Sequence, residues 1–425
     1  MKAVLIVLSA GQREYREAAL ARIAAHYRIA LISPAPVTWE TPYVIDQVTV
    51  DPADSAGYID AALRLATVHQ VAGVFTFDEW CVEKAARIGR LLDVPQCTQE
   101  AALRCRDKWA TREALRTAGV PSARSELVRS VSEAESAAGR IGYPVVVKPQ
   151  AMSASFGVTR VPGPDGLAEA FGRAHGSRPK RAWEHQQGVL VEEFLDGPEI
   201  SVDSTAVGGR VESPVFAKKV LGYPPTFEEV GHIVAAPERI TTDPEAVRKV
   251  VTAAHEALDV SGTVTHTELR LTTKGPRIVE LNGRPGGGLI AELSLLATGV
   301  DIALASADVA AGRAPNLKAS RDRVAGIRFF YAESAGVIQS CDIGDTVARA
   351  PWLEKVQWLV GPGTEVCPEP GRRWFSRVGF AVVTAESVAE CEARLAEAAD
   401  QVTLRIAPQD RQAEHRKDTA RSGLL

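Results

Sequence analysis

The sequence lacks the features that mark nucleic-acid-binding, membrane-spanning and disulfide-stabilised proteins. Its 425 residues include 49 Lys and Arg against 53 Asp and Glu, a net charge of −4, so no basic excess is available to neutralise a nucleic-acid backbone. No apolar run reaches the ~18 residues that indicate a transmembrane helix. The six cysteines form no C-x-x-C pair, which favours free thiols in a reducing compartment over a zinc site. We therefore expect a cytoplasmic protein with no nucleic-acid partner and no membrane partner.

The first 100 residues also lack the G-x-G-x-x-G motif of dinucleotide-binding proteins, although they alternate short apolar runs with helical patterns. Such alternation predicts a parallel sheet that is covered by helices on both faces. The apolar run Ala3–Leu8 is interpreted as the first strand rather than as a signal peptide, because the run is short. Asp78 and Glu79 follow a later strand, and they either face the ligand-binding edge of the sheet or cap a helix.

One stretch predicts a β-hairpin that brings two glutamates together. Its strands, Val264–Thr272 and Arg277–Asn282, are joined by a Lys-Gly-Pro turn, which places Glu268 directly opposite Glu280. Like charges in that position destabilise a sheet, and a divalent cation between them would remove this cost. Asn282 leaves the same face, and two carboxylates with an amide suit Mg²⁺ that substrate phosphates also hold. The alternative interpretation is a hairpin with solvated acids.

Several positively charged residues are candidates for binding phosphate or carboxylate groups. Arg284 follows the hairpin in a Gly- and Pro-rich turn, where backbone can approach a ligand closely. Lys148 ends a predicted buried strand, where it either holds a phosphate or is simply exposed. The small-residue loop Met152–Val158 has free backbone N–H groups, which are typical of loops that wrap phosphates. Lys108 lies with four arginines in a predicted helix over residues 100–119, and on spacing alone this charge run indicates a solvated face.

Two further segments contain candidate binding residues. Residues 189–203 predict a strand, a turn and a second strand. The edge Glu193–Leu195 offers backbone groups and apolar walls to a planar base, and Glu199 is placed to take ribose hydroxyls. Residues 223–232 predict a loop between strands, and His232 within it is interpreted first as a surface residue.

Taken in order, these motifs resemble those of the ATP-grasp superfamily, most strongly over residues 100–310. The resemblance implies an α/β protein, with an ATP-grasp fold, an N-terminal parallel-sheet (pre-ATP-grasp) domain and a C-terminal α+β subdomain. It implies ATP and Mg²⁺ as cofactors, with two metal ions and with Mn²⁺ as a substitute. The residues implied for the ATP phosphates and the loop over them are Lys108, Lys148, Ser153, Ser155, Phe156 and Gly157. Those implied for adenine and ribose are Glu192, Glu193, Phe194, Leu195 and Glu199, and those implied for metal are Glu268, Glu280 and Asn282.

The resemblance also implies a division of the chain into three parts. Residues 1–100 would form the substrate-side domain, residues 101–205 the central domain with the small ATP-grasp lobe, and residues 206–425 the large lobe. The large lobe would include an extra α+β subdomain over about 320–407. The tail 408–425 is charged and poor in apolar residues, so we expect it to be disordered.

Within the superfamily, the chain most resembles the L-amino acid ligases that make dipeptides and the related carnosine-synthase type. The segments that carry this resemblance are Ser-Ala-Ser-Phe-Gly-Val, Tyr-Pro-Pro-Thr-Phe-Glu-Glu-Val-Gly-His and Asn-Gly-Arg-Pro-Gly-Gly. It implies ATP-dependent joining of a small carboxylate and an amine, expected to be amino acids, through an acyl phosphate. The implied catalytic residues are Arg284, Lys148 and His232. The candidates for the base that takes the proton from the amine are His232, Glu229 and His266, of which His232 is ranked as a substrate contact.

Two other functions stay open at this point. One is a nucleotide-biosynthesis ligase of the same superfamily, although no basic cluster near Ser9–Gly11 supports a ribonucleotide phosphate site. The other is an ATP-binding regulatory module without turnover. Symmetry base rates favour a homodimer.

Overall fold

The computed structural model describes residues 2–177, 187–369 and 373–408, which form four β-sheets with flanking helices. The N-terminal strands are β1 (Val4–Leu8), β2 (Arg28–Ser33), β3 (Val44–Thr49) and β4 (Val71–Thr76), and the helices among them are α1 (Arg13–His26), α2 (Ser55–Val68) and α3 (Val82–Leu91). The sheet is parallel with the order β3-β2-β1-β4, which confirms the predicted sheet type. Strand β3 was not predicted, because Asp46 and Gln47 interrupt its apolar pattern at the partly exposed edge.

The single helix predicted over residues 100–119 is wrong, because the structure has two helices there. They are α4 (Gln99–Arg106) and α5 (Lys108–Thr117). Asp107 between them has extended backbone angles (φ −94°, ψ 104°), and its side chain caps α5 by accepting hydrogen bonds from the N–H groups of Trp109 and Ala110. Lys108 is therefore the first residue of a helix rather than a mid-helix residue.

A small antiparallel sheet follows. Its strands are β5 (Ser125–Val128), β6 (Val145–Pro149), β7 (Thr159–Val161) and β8 (Val189–Glu193), in the order β5-β8-β6-β7. Helices α6 (Val131–Ile141) and α7 (Leu167–Gly176) pack on one face through buried alanines, valines and Phe171. The other face carries Lys148 and Glu192 toward the rest of the molecule.

The largest sheet has eight strands in the order β13-β12-β9-β10-β11-β14-β18-β16. The strands are β9 (Glu199–Val207), β10 (Arg210–Gly222), β11 (Glu228–Ala235), β12 (Thr263–Thr272), β13 (Gly275–Asn282), β14 (Val324–Tyr331), β16 (Leu353–Trp358) and β18 (Arg377–Ala385). The loop predicted over residues 223–232 is wrong in its second half, because β11 begins at Glu228 and includes His232. The region of the expected subdomain near residue 320 adds β14, β18 and β16 to this sheet.

A third sheet and the remaining helices complete the fold. The sheet consists of β15 (Gly336–Ile343), β17 (Glu365–Val366) and β19 (Val402–Ala407), and the helices are α8 (Pro237–Ile240), α9 (Pro244–Leu258), α10 (Ile290–Ala297), α11 (Ile302–Ala310), α12 (Asp345–Ala348) and α13 (Val388–Asp400). Residues 409–425, which hold almost all of the tail predicted to be disordered, lie outside the described residues.

Helices α10 and α11 join the N-terminal sheet to the large sheet. Their apolar residues form one buried cluster with β1, β2 and α1 on one side and with β11 and β14 on the other. Within the described ranges, no single helix is long and apolar enough to cross a membrane; α10 and α11 pass that test only as a pair, which is bent by 113°.

Candidate functional site

The residues predicted from sequence converge on a cavity of ≈ 280 Å³, which is lined by the small sheet, by α5 and by several strands of the large sheet. Of the predicted site residues, Gly157 and His232 do not line it. Those that do are Lys108, Lys148, Ser153, Ser155, Phe156, Glu192, Glu193, Phe194, Leu195, Glu199, Glu268, Glu280, Asn282 and Arg284. The fold thus brings together motifs that lie far apart in the chain.

The hairpin pairs Glu268 with Glu280 as predicted, but its second strand begins at Gly275 rather than at Arg277, and a β-bulge beside Glu268 shifts the register. Glu268 of β12 pairs directly with Glu280 of β13, and both carboxylates and Asn282 line the cavity. Lysines lie beside the two acids: Lys108 Nζ is 3.0 Å from Glu280 Oε1, and Lys219 Nζ is 2.9 Å from Glu268 Oε1. Two carboxylates and an amide on one face are the hard oxygen donors that Mg²⁺ prefers, so these residues fit such an ion. Across the described residues, no cluster of three His, Cys, Asp or Glu forms a complete protein cage for a metal.

Lys219 was missed from the sequence, although it lies at the centre of the acidic side of the cavity. Its Nζ is 2.7 Å from Glu199, 2.9 Å from Glu268 and 3.6 Å from Glu229. Burial alone would lower the pKa of Lys219, but the three carboxylates together hold it well above its usual value. In β10, Lys219 points inward and Lys218 points outward toward Glu392, as strand alternation requires.

Lys148 is buried, so the alternative of a simply exposed lysine is wrong. Its side chain is 5% exposed, and Nζ lies 2.6 Å from Glu192, which also pairs with Arg112 at 2.8 Å. Burial lowers the pKa of Lys148 to about 8, with Arg112 and Lys108 adding to the effect and Glu192 opposing it. The carboxylate of Glu192 pairs with Lys148 and Arg112, so the backbone of Glu192 is the part that is available to contact adenine.

The prediction of a solvated face around Lys108 is wrong for three residues of the charge run, although Arg116 is exposed. Arg106, Lys108 and Arg112 are 3%, 7% and 3% exposed. The break at Asp107 turns α5 so that Lys108 reaches Glu280 and the backbone oxygen of Met152. Helical spacing could not show this, because the partner carboxylates come from distant strands.

The predicted adenine and ribose residues lie at one end of the cavity. Phe194 is flanked by the guanidinium groups of Arg160 and Arg270, at 4.4 and 5.9 Å from its ring centroid. Glu199 accepts a hydrogen bond from Arg270 Nε at 2.8 Å and pairs with Lys219. Its carboxylate is therefore already held by two cations.

The loop predicted to cover phosphates reaches the C-terminal part of the chain. Ser155 and Gly157 have positive φ angles, 57° and 73°, which form a tight turn. The ring of Phe156 stacks on Phe375 with centroids 5.2 Å apart and meets Trp374 edge-on at 6.4 Å. The loop therefore packs against aromatic residues that precede β18.

Arg284 is anchored by an acid from the N-terminal domain. Arg284 Nε lies 2.5 Å from Glu79 Oε2, and Glu79 also pairs with Arg106 at 2.7 Å. Burial would raise the pKa of Glu79, but Arg284 and Arg106 lower it to about 2. Asp78 caps a short helix, which was one of the two interpretations of this segment, and Glu79 pairs with Arg284, which lines the cavity.

His232 is buried rather than a surface residue. It is 1% exposed, its Nδ1 contacts Glu229, and its ring lies beside Gly288 of the loop that follows Arg284. His266 is also buried: its Nδ1 is 2.6 Å from Asp203 Oδ1.

Two known domain families match parts of this chain. The ATP-grasp domain family matches residues 141–292, and the L-amino acid ligase C-terminal domain 2 family matches residues 328–407. The chain therefore contains an ATP-grasp domain, followed by a domain of the L-amino acid ligase C-terminal type. An ATP-grasp domain binds ATP, and the relatives of this chain are ligases that form C–N bonds.

This ATP-grasp chain has both sequence relatives and solved structural neighbours. It is 29% identical to the uncharacterized protein y4rH of Sinorhizobium fredii over 93% of this chain and 81% of that one. It is 28% identical to carnosine synthase 1 of Mus musculus and 25% identical to alanine–anticapsin ligase of Bacillus subtilis, and it spans 35% and 52% of those proteins. The L-amino acid ligase structure from Bacillus licheniformis superposes with a TM-score of 0.82 at 22% identity, over 96% of this chain and 99% of that one. This likeness confirms the predicted ATP-grasp fold.

Four residues that were not assigned a site role from the sequence each pair with a predicted site residue. They are Lys219, Arg112, Arg270 and Glu79. Only Glu79 had a sequence signal, namely its place directly after a parallel strand. The others occupy ordinary positions in strands and helices.

Proposed function

We propose that this chain joins the carboxylate of one amino acid to the amine of a second, through an acyl phosphate that forms at the expense of ATP. The observation that carries the proposal is that Lys108, Lys148, Arg284 and the opposed pair Glu268 and Glu280 all line one cavity. A carboxylate and a triphosphate repel each other, so a site that joins them must supply positive charge to both.

The phosphates would lie between the two lysines and the loop Ser153–Val158. Lys108 and Lys148 enter the cavity from different elements, α5 and β6, so they can hold two separate phosphate oxygens. Phe156 packs on Phe375 and would keep the loop over the phosphates. Water must be excluded there, because it would hydrolyse an acyl phosphate.

Glu268, Glu280 and Asn282 would hold the metal, for which we propose two Mg²⁺ ions with Mn²⁺ as a substitute. When bound, the metal would neutralise phosphate charge during transfer. Lys219 lies 2.9 Å from Glu268 and fixes that carboxylate in place.

Arg284 would bind the carboxylate that is activated and then the oxygens of the acyl phosphate. Its planar guanidinium suits bidentate contact with such groups. Glu79 orients Arg284 at 2.5 Å, so the arginine is positioned before substrate arrives. Loss of a comparable donor in other enzymes raises the barrier by about 3–4 kcal/mol.

The roles for adenine and ribose follow the sequence-based expectations, whereas the role of His232 departs from them. Backbone groups of residues 192–195 would contact adenine and Glu199 the ribose, while His232 would act behind the cavity wall with Glu229 rather than in direct contact. The base that takes the proton from the amine, the homodimer and the cytoplasmic location stay predictions.

The test is the release of ADP and phosphate with ATP and Mg²⁺, with amino acids offered singly and in pairs. We expect release that requires two amino acids and that yields one dipeptide per ADP, identified by mass spectrometry. Arg284→Ala should lower kcat/KM by about 10²–10³-fold. Arg116→Ala is the matched control, because Arg116 is 70% exposed and, among the residues that the structure describes, forms an ion pair only with Glu113 of its own helix.

A different result would point to one of the two other functions. Release that depends on a nucleotide-like amine would favour a nucleotide-biosynthesis ligase. ATP binding without turnover for any pair would favour a regulatory module.

A further inference from the structure

Arg377 differs from the other cations that line the cavity. Six of these cations pair with a glutamate: Lys108 with Glu280, Arg112 and Lys148 with Glu192, Lys219 and Arg270 with Glu199, and Arg284 with Glu79. Arg377 also lines the cavity, yet it forms no ion pair with any carboxylate of the residues described in the structure. Its charge is thus available to an anionic ligand.

The guanidinium of Arg377 is nevertheless held firmly. Its Nε and Nη2 donate to the Tyr331 hydroxyl at 3.2 and 3.0 Å, and its Nη1 donates to the Tyr15 hydroxyl at 3.2 Å. The Tyr331 hydroxyl donates in turn to the backbone oxygen of Glu229 at 2.9 Å. The guanidinium lies 3.5 Å from the ring centroid of Phe329. Three of its five N–H groups are used, which leaves one on each terminal nitrogen.

Arg377 is connected through Phe329 to the turn that contains Arg284 and Gly288. A Cβ placed on Gly288 would lie 3.1 Å from Phe329, the ring that supports Arg377. Gly288 belongs to the turn that starts at Arg284. The turn that starts at Arg284 therefore reaches the ring that supports Arg377, and each arginine is also held by the N-terminal domain, through Glu79 and Tyr15 respectively.

We propose that Arg377 binds the unreacted carboxylate of the amino acid whose amine attacks the acyl phosphate. The inference rests on the proposed ligase function. In that reaction the first carboxylate takes a phosphoryl group from ATP and ADP leaves; the amine nitrogen then forms the new C–N bond, phosphate departs with the C–O bond electrons, and the nitrogen loses a proton. The carboxylate of the attacking amino acid stays ionised throughout, so it needs a permanent cation that the phosphoryl-transfer residues do not supply.

Arg377 suits this second carboxylate better than the first. Arg284 lies next to Glu280 and Asn282, whereas Arg377 approaches from β18, away from those residues. The geometry therefore assigns Arg377 to recognition of an amine substrate that carries a carboxylate.

The experiment compares nucleophiles with and without a carboxylate. Hydroxylamine converts an acyl phosphate to a hydroxamate and has no carboxylate, so it reports activation alone. With the acyl donor saturating, we expect Arg377→Gln to raise KM for the attacking amino acid by about 10- to 100-fold while hydroxamate formation stays within about twofold of the wild-type rate. Arg377→Lys, which keeps the charge, should recover part of the loss.

The wild-type protein provides a test that needs no variant. An amino acid and its carboxamide are compared as attacking amines, and we expect the carboxamide to be at least about 10-fold poorer in kcat/KM. Its amine is less protonated at neutral pH, so chemistry alone would make it the better nucleophile. Equal kcat/KM for the amino acid and its carboxamide would overturn the proposal. So would an Arg377→Gln variant that loses amide and hydroxamate formation together, or one that changes the KM for the acyl donor instead of the KM for the attacking amino acid. Absence of hydroxamate in the wild type would refute the ligase function itself.

Discussion

Asp203 and His266 form a buried pair that connects the metal-side hairpin to the turn after Arg284. Asp203 Oδ1 lies 2.6 Å from His266 Nδ1, and Asp203 Oδ2 accepts a hydrogen bond of 2.8 Å from the Gly286 N–H. A Cβ at Gly286 would lie 2.9 Å from His266 Nδ1, so the turn approaches the pair as closely as a glycine allows. One aspartate thus sets the relative position of two parts of the site.

Replacement of Asp203 should lower stability in a defined order. Asp203→Ala leaves both the Gly286 N–H and His266 without their partner, and we expect a loss of about 3–5 kcal/mol in the free energy of unfolding. Asp203→Asn keeps an acceptor for Gly286 but removes the charge, and we expect about 1–3 kcal/mol. Urea denaturation measures both. The control is Asp60→Asn on the exposed face of α2, which should change little; equal losses for the two Asp203 variants would contradict the assigned role.

Glu280→Gln should weaken the dependence on Mg²⁺. The variant keeps the size of the side chain but removes half of the opposed carboxylate charge in the hairpin. We expect kcat to fall by about 10²-fold and the Mg²⁺ concentration for half-maximal rate to rise. Titration of Mg²⁺ at saturating ATP measures both values.

The matched control for Glu280 is Glu212→Gln on β10. Glu212 is exposed and pairs with the equally exposed Arg210. An unchanged Mg²⁺ curve in Glu280→Gln would show that this carboxylate is not a metal ligand.

Phe156→Ala should uncouple ATP use from amide formation. The ring stacks on Phe375 and meets Trp374, and these contacts keep the loop against the C-terminal part of the chain. Without them, we expect more ADP per amide formed, because water reaches the acyl phosphate. The ratio of ADP released to amide formed measures this loss of acyl phosphate to water.

Phe375→Ala should raise the ratio of ADP to amide in the same way, because it removes the other side of the contact. Leu63→Ala, at an exposed residue of α2, should leave the ratio unchanged. A ratio that stays at one would exclude a closing role for the loop.

The sequence was informative wherever a site residue belongs to a local pattern. The sequence predicts the pairing of Glu268 with Glu280 from a turn centred on Lys274. In the structure the turn pairs Thr272 with Gly275, and a β-bulge beside Glu268 restores the predicted pairing. The order of the remaining motifs identified the superfamily, and the family matches confirm it.

The remainder of the site depends on contacts between distant parts of the chain. Lys108 and Glu280 are 172 residues apart, and no local pattern links them. The burial of Lys108 required the helix break at Asp107, where one capping aspartate outweighed continuous helical propensity. His232 was placed in a loop because Pro224 and Pro225 precede it, although β11 begins only a few residues later.

Lys148 predicts a decline in ATP affinity at alkaline pH. Burial lowers its pKa to about 8, below the usual 10.5. A lowered lysine pKa means that the charged form destabilises the folded protein below about pH 8 and that this cost is relieved as pH rises toward 10.5. ATP phosphates require the charged form, so we expect the KM for ATP to be lowest below about pH 8 and to rise above it.

Lys148→Arg separates this effect from other titrations, because arginine stays charged across the range. The variant should bind ATP with a KM that changes little between pH 7 and about pH 9.5. Lys249→Arg, at an exposed position of α9, should reproduce the wild-type profile. If Lys148→Arg showed the same alkaline rise as the wild type, the titrating group would lie elsewhere, and Lys148 would not be the lysine whose charge holds the phosphates.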